Sequence, residues 1–256
     1  MSVFCASRRA AAPYSVSQNF LTSVQTVERM LDRTDIGPED IVFEIGPGKG
    51  HVTRRLMLRC DRVMAVEIDP ILCEKLPARL GHPDNVRLIC GDFLQARLPE
   101  KSAYKVFANP PFQGISEIVR KLTMAVNPPR DCWLVMEKGA AKRFCGLPAE
   151  TLHSLALKPF FEIRVVYHLR REYFHPMPAC ESVLVHFHRR ATPDLPLGQR
   201  AALEAFLRQS LGQPGSTLSR RQAQVALRQA GCADLPASGT LGYVQWLCLF
   251  RCWMRR

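Results

Sequence analysis

The sequence contains no long hydrophobic run, and this bounds the class of protein. None of its apolar stretches approaches the roughly 18 residues that a membrane-spanning helix requires. With 47% hydrophobic residues among 256, the chain can nevertheless bury a substantial core. We therefore expect a soluble protein with one large domain and a small appendix.

Cysteine pairs at metal-binding or redox spacing are also missing. The chain has ten cysteines, yet no two of them form a C-x-x-C motif. Most lie in apolar segments, as Cys60, Cys90, Cys132 and Cys248 do. Reduced, buried thiols in a cytoplasmic protein explain this pattern, and we predict neither disulfides nor a bound metal.

Acidic residues are few relative to basic ones. The chain has 35 lysines and arginines against 23 aspartates and glutamates, a net charge of +12. Excess positive charge favours a polyanionic partner, because lysine and arginine displace condensed counterions from a phosphate backbone. A generally basic soluble protein is the alternative that charge alone leaves open.

A short apolar run ends in a cluster of glycines within Ile41–Gly50. Its first five residues include one polar side chain, Glu44, and glycines follow at positions 46, 48 and 50. This pattern predicts a buried strand that enters a tight turn, and apolar residues four apart in the next ten predict a helix. A ligand can approach the backbone closely at such a junction. The spacing differs from both the phosphate-loop motif and the G-x-G-x-x-G dinucleotide motif.

Strand-like and helical segments alternate over the first three quarters of the chain, which predicts a mostly parallel sheet covered by helices. Residues 189–199 contain two prolines and a glycine and break the periodicity. We therefore predict a basic arm (residues 1–18), a main domain (19–190) and a basic helical appendix (200–256) that contacts phosphates. After the glycine-motif strand, the predicted strands are Val63–Ile68, Val86–Cys90, Tyr104–Ala108, Cys132–Met136, Ile163–Leu169 and Val183–His188, and the predicted appendix helices are Arg200–Leu211, Ser219–Ala230 and Leu241–Met254.

Two acids follow neighbouring predicted strands. Glu67 ends the second strand, and Asp92 comes directly after the third. Because the carboxyl ends of neighbouring parallel strands meet at one crevice, we expect both to face the same ligand. Glu67 is placed to accept hydrogen bonds from two ribose hydroxyls, and Asp92 from an adenine amino group. An ordinary surface acid is the alternative for either residue taken singly.

The motif Asn109-Pro110-Pro111-Phe112 directly follows the fourth predicted strand. An exocyclic amine of a nucleobase is a poor nucleophile because its lone pair is delocalised into the ring. The Asn109 side-chain oxygen and the Pro110 carbonyl are two acceptors that can hold the amine hydrogens and direct the lone pair at a methyl donor. Phe112 is suited to stack on an unstacked base. A proline-rich turn with an aromatic anchor is the structural alternative.

In combination, these segments resemble the ribosomal RNA adenine-N6 methyltransferases, a family that includes the erythromycin-resistance (Erm) enzymes and the small-subunit (KsgA-like) dimethyltransferases. The resemblance implies an α/β fold, a seven-stranded Rossmann-like class I methyltransferase sheet with a small C-terminal helical domain. Lys49 and His51 in the glycine motif are more similar to the Erm enzymes. The match weakens beyond Arg190. It rests on Gln18–Thr22, Glu44–Thr53, Glu67–Asp69, Gly91–Asp92, Asn109–Phe112 and Phe174–Pro176.

The resemblance also implies S-adenosyl-L-methionine as cofactor and ribosomal RNA as partner, with no membrane, no metal and a monomeric chain. Family members usually carry leucine or isoleucine at the second position of the catalytic motif. Pro110 departs from that pattern, although only its carbonyl is needed. By resemblance, Asn19, Leu21, Gly46, Glu67, Asp92 and Asn109 bind the cofactor, Asn109, Pro110 and Phe112 form the catalytic motif, and Phe112, Phe174, Lys142 and Arg143 contact the substrate.

The expected activity is therefore methylation of adenine N6 in 23S ribosomal RNA, which would confer resistance to macrolide, lincosamide and streptogramin B antibiotics. A small-subunit (16S-type) dimethyltransferase is the alternative within the family. A DNA amino-methyltransferase normally needs a larger target-recognition domain than residues 200–256 provide. A non-catalytic RNA-binding factor with this fold is the alternative of a different class, and the intact Gly46, Glu67, Asp92 and Asn109 argue against it.

Overall fold

All seven predicted strands lie in one sheet of the computed structural model, which describes residues 4–5, 19–211, 217–232 and 241–255. The strands are β1 (Phe4–Cys5), β2 (Phe20–Leu21), β3 (Ile41–Ile45), β4 (Arg62–Glu67), β5 (Val86–Cys90), β6 (Lys105–Ala108), β7 (Asp131–Glu137), β8 (Phe161–Leu169), β9 (Phe174–His175) and β10 (Ser182–Arg189). The order across the sheet is β1-β5-β4-β3-β6-β7-β10-β8, and β2 pairs with β9 separately.

The sheet is parallel from β1 to β7, and β10 runs antiparallel to β7. The central strands β3, β6 and β7 are buried along nearly their whole length, as strands covered on both faces are. This topology confirms the predicted, mostly parallel Rossmann-like methyltransferase sheet.

The structure describes two residues of the predicted N-terminal arm. Phe4 and Cys5 form β1, an eighth strand that the sequence analysis did not predict and that pairs in parallel with β5. The other residues of the arm, 1–3 and 6–18, lie outside the described part of the chain.

Helices connect the strands and make up the C-terminal region. They are α1 (Val24–Leu31), α2 (Thr53–Leu56), α3 (Pro70–Leu80), α4 (Ile115–Thr123), α5 (Lys138–Cys145), α6 (Leu152–Leu157), α7 (Arg200–Ser210), α8 (Arg220–Gln229) and α9 (Tyr243–Met254). The last three confirm the helices predicted for the appendix. No helix in the described residues is both long enough and apolar enough to cross a membrane.

The chain divides into two compact units, and the division differs from the predicted one. The first, the sheet unit, comprises the described residues within 1–138 and 164–189, and the second, the helical unit, comprises those within 139–163 and 190–256. The boundary near Arg190 was predicted. Residues 139–163, which the sequence analysis placed in the main domain, instead belong with the appendix because α6 packs against α7.

Aromatic side chains form the interior of the helical unit. The Phe206 ring of α7 lies 6.2 Å from that of Trp246, 5.7 Å from that of Phe250 and 5.6 Å from that of Trp253, all on α9. The Tyr243 hydroxyl, at the start of α9, hydrogen-bonds to the Asp194 carboxylate at 2.6 Å. Large aromatic rings bury much apolar area for their number, which lets a small unit form a core.

Candidate active site

A cleft of about 1050 Å³, open to solvent, lies where four parallel strands of the sheet unit end. Gly46 follows β3, Glu67 ends β4, Asp92 follows β5 and Asn109 follows β6, and all four line the cleft. The parallel register brings the last residues of β3 and β6 side by side. Glu67 and Asp92, which the sequence analysis placed at one crevice, therefore do share one, and Gly46 and Asn109 line it with them.

The turn after β3 depends on glycine. Gly46, Gly48 and Gly50 have φ angles of +69°, +57° and +81°, a region that residues with a Cβ rarely adopt. A Cβ added at Gly48 would meet the Phe20 ring at 2.8 Å, whereas one at Gly46 would project into open space. The Gly46 N–H donates to the Val66 carbonyl at 2.9 Å. The turn is thus held against β4 while its Gly46 side stays accessible to a ligand.

Glu67 brings a buried carboxylate to the cleft, with 1% of the residue exposed. Its Oε2 accepts the N–H of Gly48 at 2.9 Å, and its Oε1 accepts the N–H of Asp69 at 3.0 Å. Burial raises the pKa of Glu67, and these two hydrogen bonds oppose the rise. Because a carboxylate has about four lone-pair sites, each oxygen keeps acceptor capacity for a ligand.

Glu44 also lines the cleft, although the sequence analysis gave it no role in the site. It is 2% exposed within the otherwise apolar β3. Burial raises the pKa of Glu44 to about 8, and repulsion by Glu67 adds to the rise. Its Oε2 is buried without a hydrogen-bond partner among the described residues. A single polar residue in a buried strand was the sequence signal, but that signal alone does not tell a ligand contact from a structural hydrogen bond.

Asn109 presents an unsatisfied acceptor to the cleft. Its Nδ2 donates to the backbone carbonyl of Asn19 at 2.9 Å, which sets the orientation of the amide. The other amide atom, Oδ1, is buried and accepts no hydrogen bond in the described part of the chain. Leaving a buried acceptor unpaired costs about 1–3 kcal/mol, so its position in the cleft points to a donor that a ligand supplies. Pro110, next in the chain, is buried and lines the cleft as well.

Asp92 is held in place by its own turn. Its Oδ1 accepts the N–H of Leu94 at 2.8 Å and so caps the short 3-10 turn Phe93–Gln95. Phe93 is 5% exposed and lines the cleft beside Asp92, and the Lys121 ammonium lies 5.1 Å from the centre of its ring. The cleft therefore has an acid at the end of β5, as the sequence analysis expected, and an aromatic side chain beside it.

The two aromatic residues predicted to contact the substrate lie outside the cleft lining. Phe174 in β9 pairs across from Leu21 in β2, and both are buried in the core of the sheet unit. Leu21 lines the cleft, whereas Phe174 does not. Phe112 is half-buried, packs against the same core and lies between two residues that do line the cleft, Pro111 and Gln113.

The predicted basic contacts belong to the other unit. Lys142 and Arg143 are exposed on α5 within the helical unit, and neither lines the cleft. A residue that the sequence analysis left without a role, Phe20, does line it. The Lys49 ammonium lies 5.0 Å from the centre of the Phe20 ring, which also packs against Gly48.

Comparison with known proteins identifies related sequences over most of the chain. The family model described as ribosomal RNA adenine dimethylase matches residues 11–230. The rRNA adenine N-6-methyltransferase of Limosilactobacillus reuteri is 34% identical over 237 residues, which are 91% of this chain and 93% of the relative. The enzyme of the same description from Escherichia coli is 33% identical over 180 residues, 70% of this chain and 72% of the relative.

Solved structures are similar over the same extent. The 23S rRNA methyltransferase ErmE superposes with a TM-score of 0.80 at 27% identity, covering 91% of this chain and 99% of its own. A dimethyladenosine transferase from Plasmodium falciparum superposes with a TM-score of 0.72 at 19% identity over 90% of this chain and 95% of its own, which shows a shared fold.

Proposed function

Because this chain belongs to the ribosomal RNA adenine dimethylase family and is an S-adenosylmethionine-dependent rRNA adenine N6-methyltransferase, we propose that its target is an adenine of 23S ribosomal RNA. The modification would confer resistance to macrolide, lincosamide and streptogramin B antibiotics. Two observations support the large-subunit target. The similar structure of ErmE is that of a 23S rRNA methyltransferase, and Lys49 and His51 give the glycine motif its Erm-like form.

The buried, unpaired Oδ1 of Asn109 is the observation that carries the proposed chemistry, methylation of an amine. In the proposed reaction this oxygen and the Pro110 carbonyl accept the two hydrogens of the adenine amine. Holding both hydrogens favours a pyramidal nitrogen. The lone pair of that nitrogen is then localised on the atom and points out of the ring plane, instead of being delocalised into the ring. Because the hydrogen bond to Asn19 already fixes the Asn109 amide, its oxygen needs no reorganisation as the amine changes shape.

The residues of the cleft fit the cofactor. S-adenosylmethionine, when bound, supplies an electrophilic methyl group on a sulfonium. Glu67 would accept the ribose hydroxyls with the lone pairs that Gly48 and Asp69 leave unused. The open side of Gly46 admits a ligand against the backbone, since a Cβ there would occupy free space. Asp92 would accept from the adenine amino group of the cofactor.

The aromatic residues are assigned to the target base. Phe112 is proposed to stack on the adenine once the base has left its strand, a contact worth about 1–3 kcal/mol. Phe174, which is buried opposite Leu21, would belong to the core that supports Phe112. Lys142 and Arg143 are proposed to contact phosphates of the RNA, since they are exposed cations.

Transfer of labelled methyl groups to two substrates tests the choice of target. We expect the purified protein to methylate protein-free 23S ribosomal RNA, with mass spectrometry locating the label at adenine N6. Cells that express it should tolerate macrolides, because a methylated amine obstructs the drug site. Cells that express Asn109→Ala at equal levels should remain sensitive. Label in small-subunit particles together with unchanged macrolide sensitivity would instead indicate a 16S-type dimethyltransferase.

A further inference from the structure

A second cluster of polar side chains lies at the other end of the sheet from the cleft. Asp131 is the first residue of β7, whereas the cleft lies at the last residues of the parallel strands. The Oδ1 atom of Asp131 lies 2.8 Å from Nε2 of His186 and 2.7 Å from Nδ1 of His188. In the described residues, these three side chains form a group whose ligand atoms all lie within 4.8 Å of one another.

Strand register brings the three side chains together. β10 runs antiparallel to β7 with His188 directly opposite Asp131 and His186 opposite Trp133. Side chains two residues apart on a strand project from the same face, so both histidines stand on the face that carries Asp131. The His186 ring stacks on Trp133 with centres 4.8 Å apart and planes 7° apart, which fixes its orientation.

The donor set and its surroundings suit a divalent cation. Asp131 is 1% exposed and His186 is 7% exposed, but the His188 side chain is 41% exposed, so the cluster has a buried floor and an open side. Two imidazole nitrogens and a carboxylate oxygen are ligands that zinc accepts, with a fourth position left for water.

Among the ion-paired groups next to the cluster, carboxylates outnumber cations. Arg130 Nε lies 3.5 Å from the second oxygen of Asp131. Lys105, the cross-strand neighbour of Asp131, is bound 2.9 Å from Asp35 and 2.9 Å from Asp40, and Asp35 also lies 3.6 Å from Arg130. Three carboxylates thus face two cations, and the two imidazole rings complete the group.

We propose that Asp131, His186 and His188 bind one zinc ion, which joins β7 to β10. The spacing requires side-chain rearrangement. Ligand atoms about 2.0–2.1 Å from a tetrahedral zinc lie about 3.3 Å apart. The two nitrogens must therefore each move away from Oδ1 by roughly half an ångström, and they must approach each other from a spacing that is at most 4.8 Å. His188 has the freedom to do so because of its exposure. To bind zinc, each ring nitrogen that faces Oδ1 must present its lone pair, so the ring proton of each histidine must lie on the other nitrogen of the same ring.

Titration calorimetry on tag-free protein stripped with a chelator tests the site. We expect one zinc ion per chain and a higher melting temperature in zinc than in chelator. His188→Gln should weaken zinc binding by about tenfold or more, and Asp131→Asn should do the same if that variant folds. His168→Gln, an exposed histidine on β8 outside the cluster, should bind zinc as the parent does. Substitution with cobalt should show the visible absorption of a tetrahedral site with nitrogen and oxygen ligands.

Cysteine thiols are the competing explanation for zinc binding, and a double cysteine variant distinguishes them from the Asp131 cluster. Cys232 and Cys248 of the helical unit have sulfurs 3.9 Å apart. Zinc binding that survives His188→Gln but disappears in Cys232→Ser/Cys248→Ser would overturn the proposal, as would thiolate-to-cobalt charge-transfer bands. Absence of stoichiometric binding would also overturn it and leave a hydrogen-bonded His–Asp–His group. Methyl transfer should be unchanged in His188→Gln, because the cleft lies at the opposite end of the strands.

The sequence analysis expected no metal, and the proposal departs from that expectation because its ligands are far apart in sequence. The sequence motif considered there, C-x-x-C, places its ligands at a short spacing. Asp131, by contrast, lies 55 residues before His186. Only the pairing of β7 with β10 brings them together, and that pairing is a tertiary contact.

Discussion

The sheet unit buries two carboxylates beside its cleft, whereas the helical unit exposes the two cations that are predicted to contact RNA. In the sheet unit, Glu44 and Glu67 are buried beside the cleft, and burial raises the pKa of both. In the helical unit, Lys142 and Arg143 are exposed, whereas the interior is aromatic. Buried polar atoms with fixed partners define one ligand geometry, but exposed cations attract any phosphate backbone. We therefore expect chemistry to depend on single atoms of the sheet unit and RNA affinity to depend on summed charge.

Asn109→Ala should separate methyl transfer from RNA binding most strongly. It removes the unpaired acceptor Oδ1, and loss of one such preorganised group lowers turnover by roughly 100- to 1000-fold. RNA affinity should change little, because phosphate contacts supply most of it. Single-turnover methyl transfer and RNA-binding titrations measure the two quantities.

Gln113→Ala is the matched control for this variant, since Gln113 lines the cleft from the same turn but is exposed. We expect it to keep most of its turnover. Near-full methylation by a folded Asn109→Ala protein would contradict the proposed role of the amide.

Glu44→Gln should change how stability depends on pH. The pKa of Glu44 rises from 4.5 to about 8 on folding, so the unfolded chain releases the proton at lower pH than the folded chain does. Stability present below pH 4.5 is therefore lost as the pH rises toward 8. Each unit of difference is about 1.4 kcal/mol, so the loss is on the order of a few kcal/mol. Glutamine does not ionise, so Glu44→Gln does not lose stability over this pH range. The free energy of unfolding of Glu44→Gln, relative to that of the parent, should therefore increase from pH 5 to pH 8.

Urea unfolding of both proteins at the two pH values provides the measurement. Glu39→Gln removes an exposed carboxylate close to the start of β3 and controls for the change in net charge. Equal pH dependence in the parent and in Glu44→Gln would mean that Glu44 is ionised in the folded protein.

Glu67→Ala should weaken cofactor binding by about tenfold or more, because hydrogen bonds to a charged group contribute roughly 1.5–3 kcal/mol. Calorimetric titration with S-adenosylmethionine measures the change. Glu67→Gln keeps one acceptor oxygen and should lose less. Since Glu67 also accepts the N–H groups of Gly48 and Asp69, circular dichroism must establish that each variant is folded. Parental affinity in a folded Glu67→Ala protein would remove Glu67 from the cofactor site.

The features that could be predicted from sequence are those encoded by neighbouring residues. Apolar runs identified all seven strands of the predicted sheet, and a glycine cluster or a polar residue at a strand end identified the cleft. Gly46 and Asn109 are such positions, since a turn and a strand end are local features.

The features that could not be predicted depend on contacts between distant segments. Residues 139–163 join the helical unit because α6 packs on α7, about 50 residues further along the chain. The raised pKa of Glu44 depends on burial by the whole sheet. The position of Phe20 against Gly48 likewise follows from tertiary packing. No spacing rule reports these contacts.

The smallest predicted effect concerns the exposed charges. Arg55 and Arg59 of the sheet unit form ion pairs with Glu28, and Arg59 also pairs with Asp32. Their charge is therefore partly neutralised before RNA arrives. Lys142 and Arg143 of the helical unit form no ion pair within the described residues, so their charge remains available to phosphates.

We expect Lys142→Ala/Arg143→Ala to lower RNA affinity several-fold at physiological salt and Arg55→Ala/Arg59→Ala to lower it less. Each lost phosphate contact reduces the slope of log affinity against log salt by about 0.7–0.9, so the first double variant should flatten the slope by roughly 1.5. Methyl transfer at saturating RNA should be unchanged in both, because neither pair lines the cleft. A larger loss from the Arg55/Arg59 variant would place the RNA contact on the sheet unit. Equal slopes in the parent and in both variants would mean that neither pair contacts phosphate.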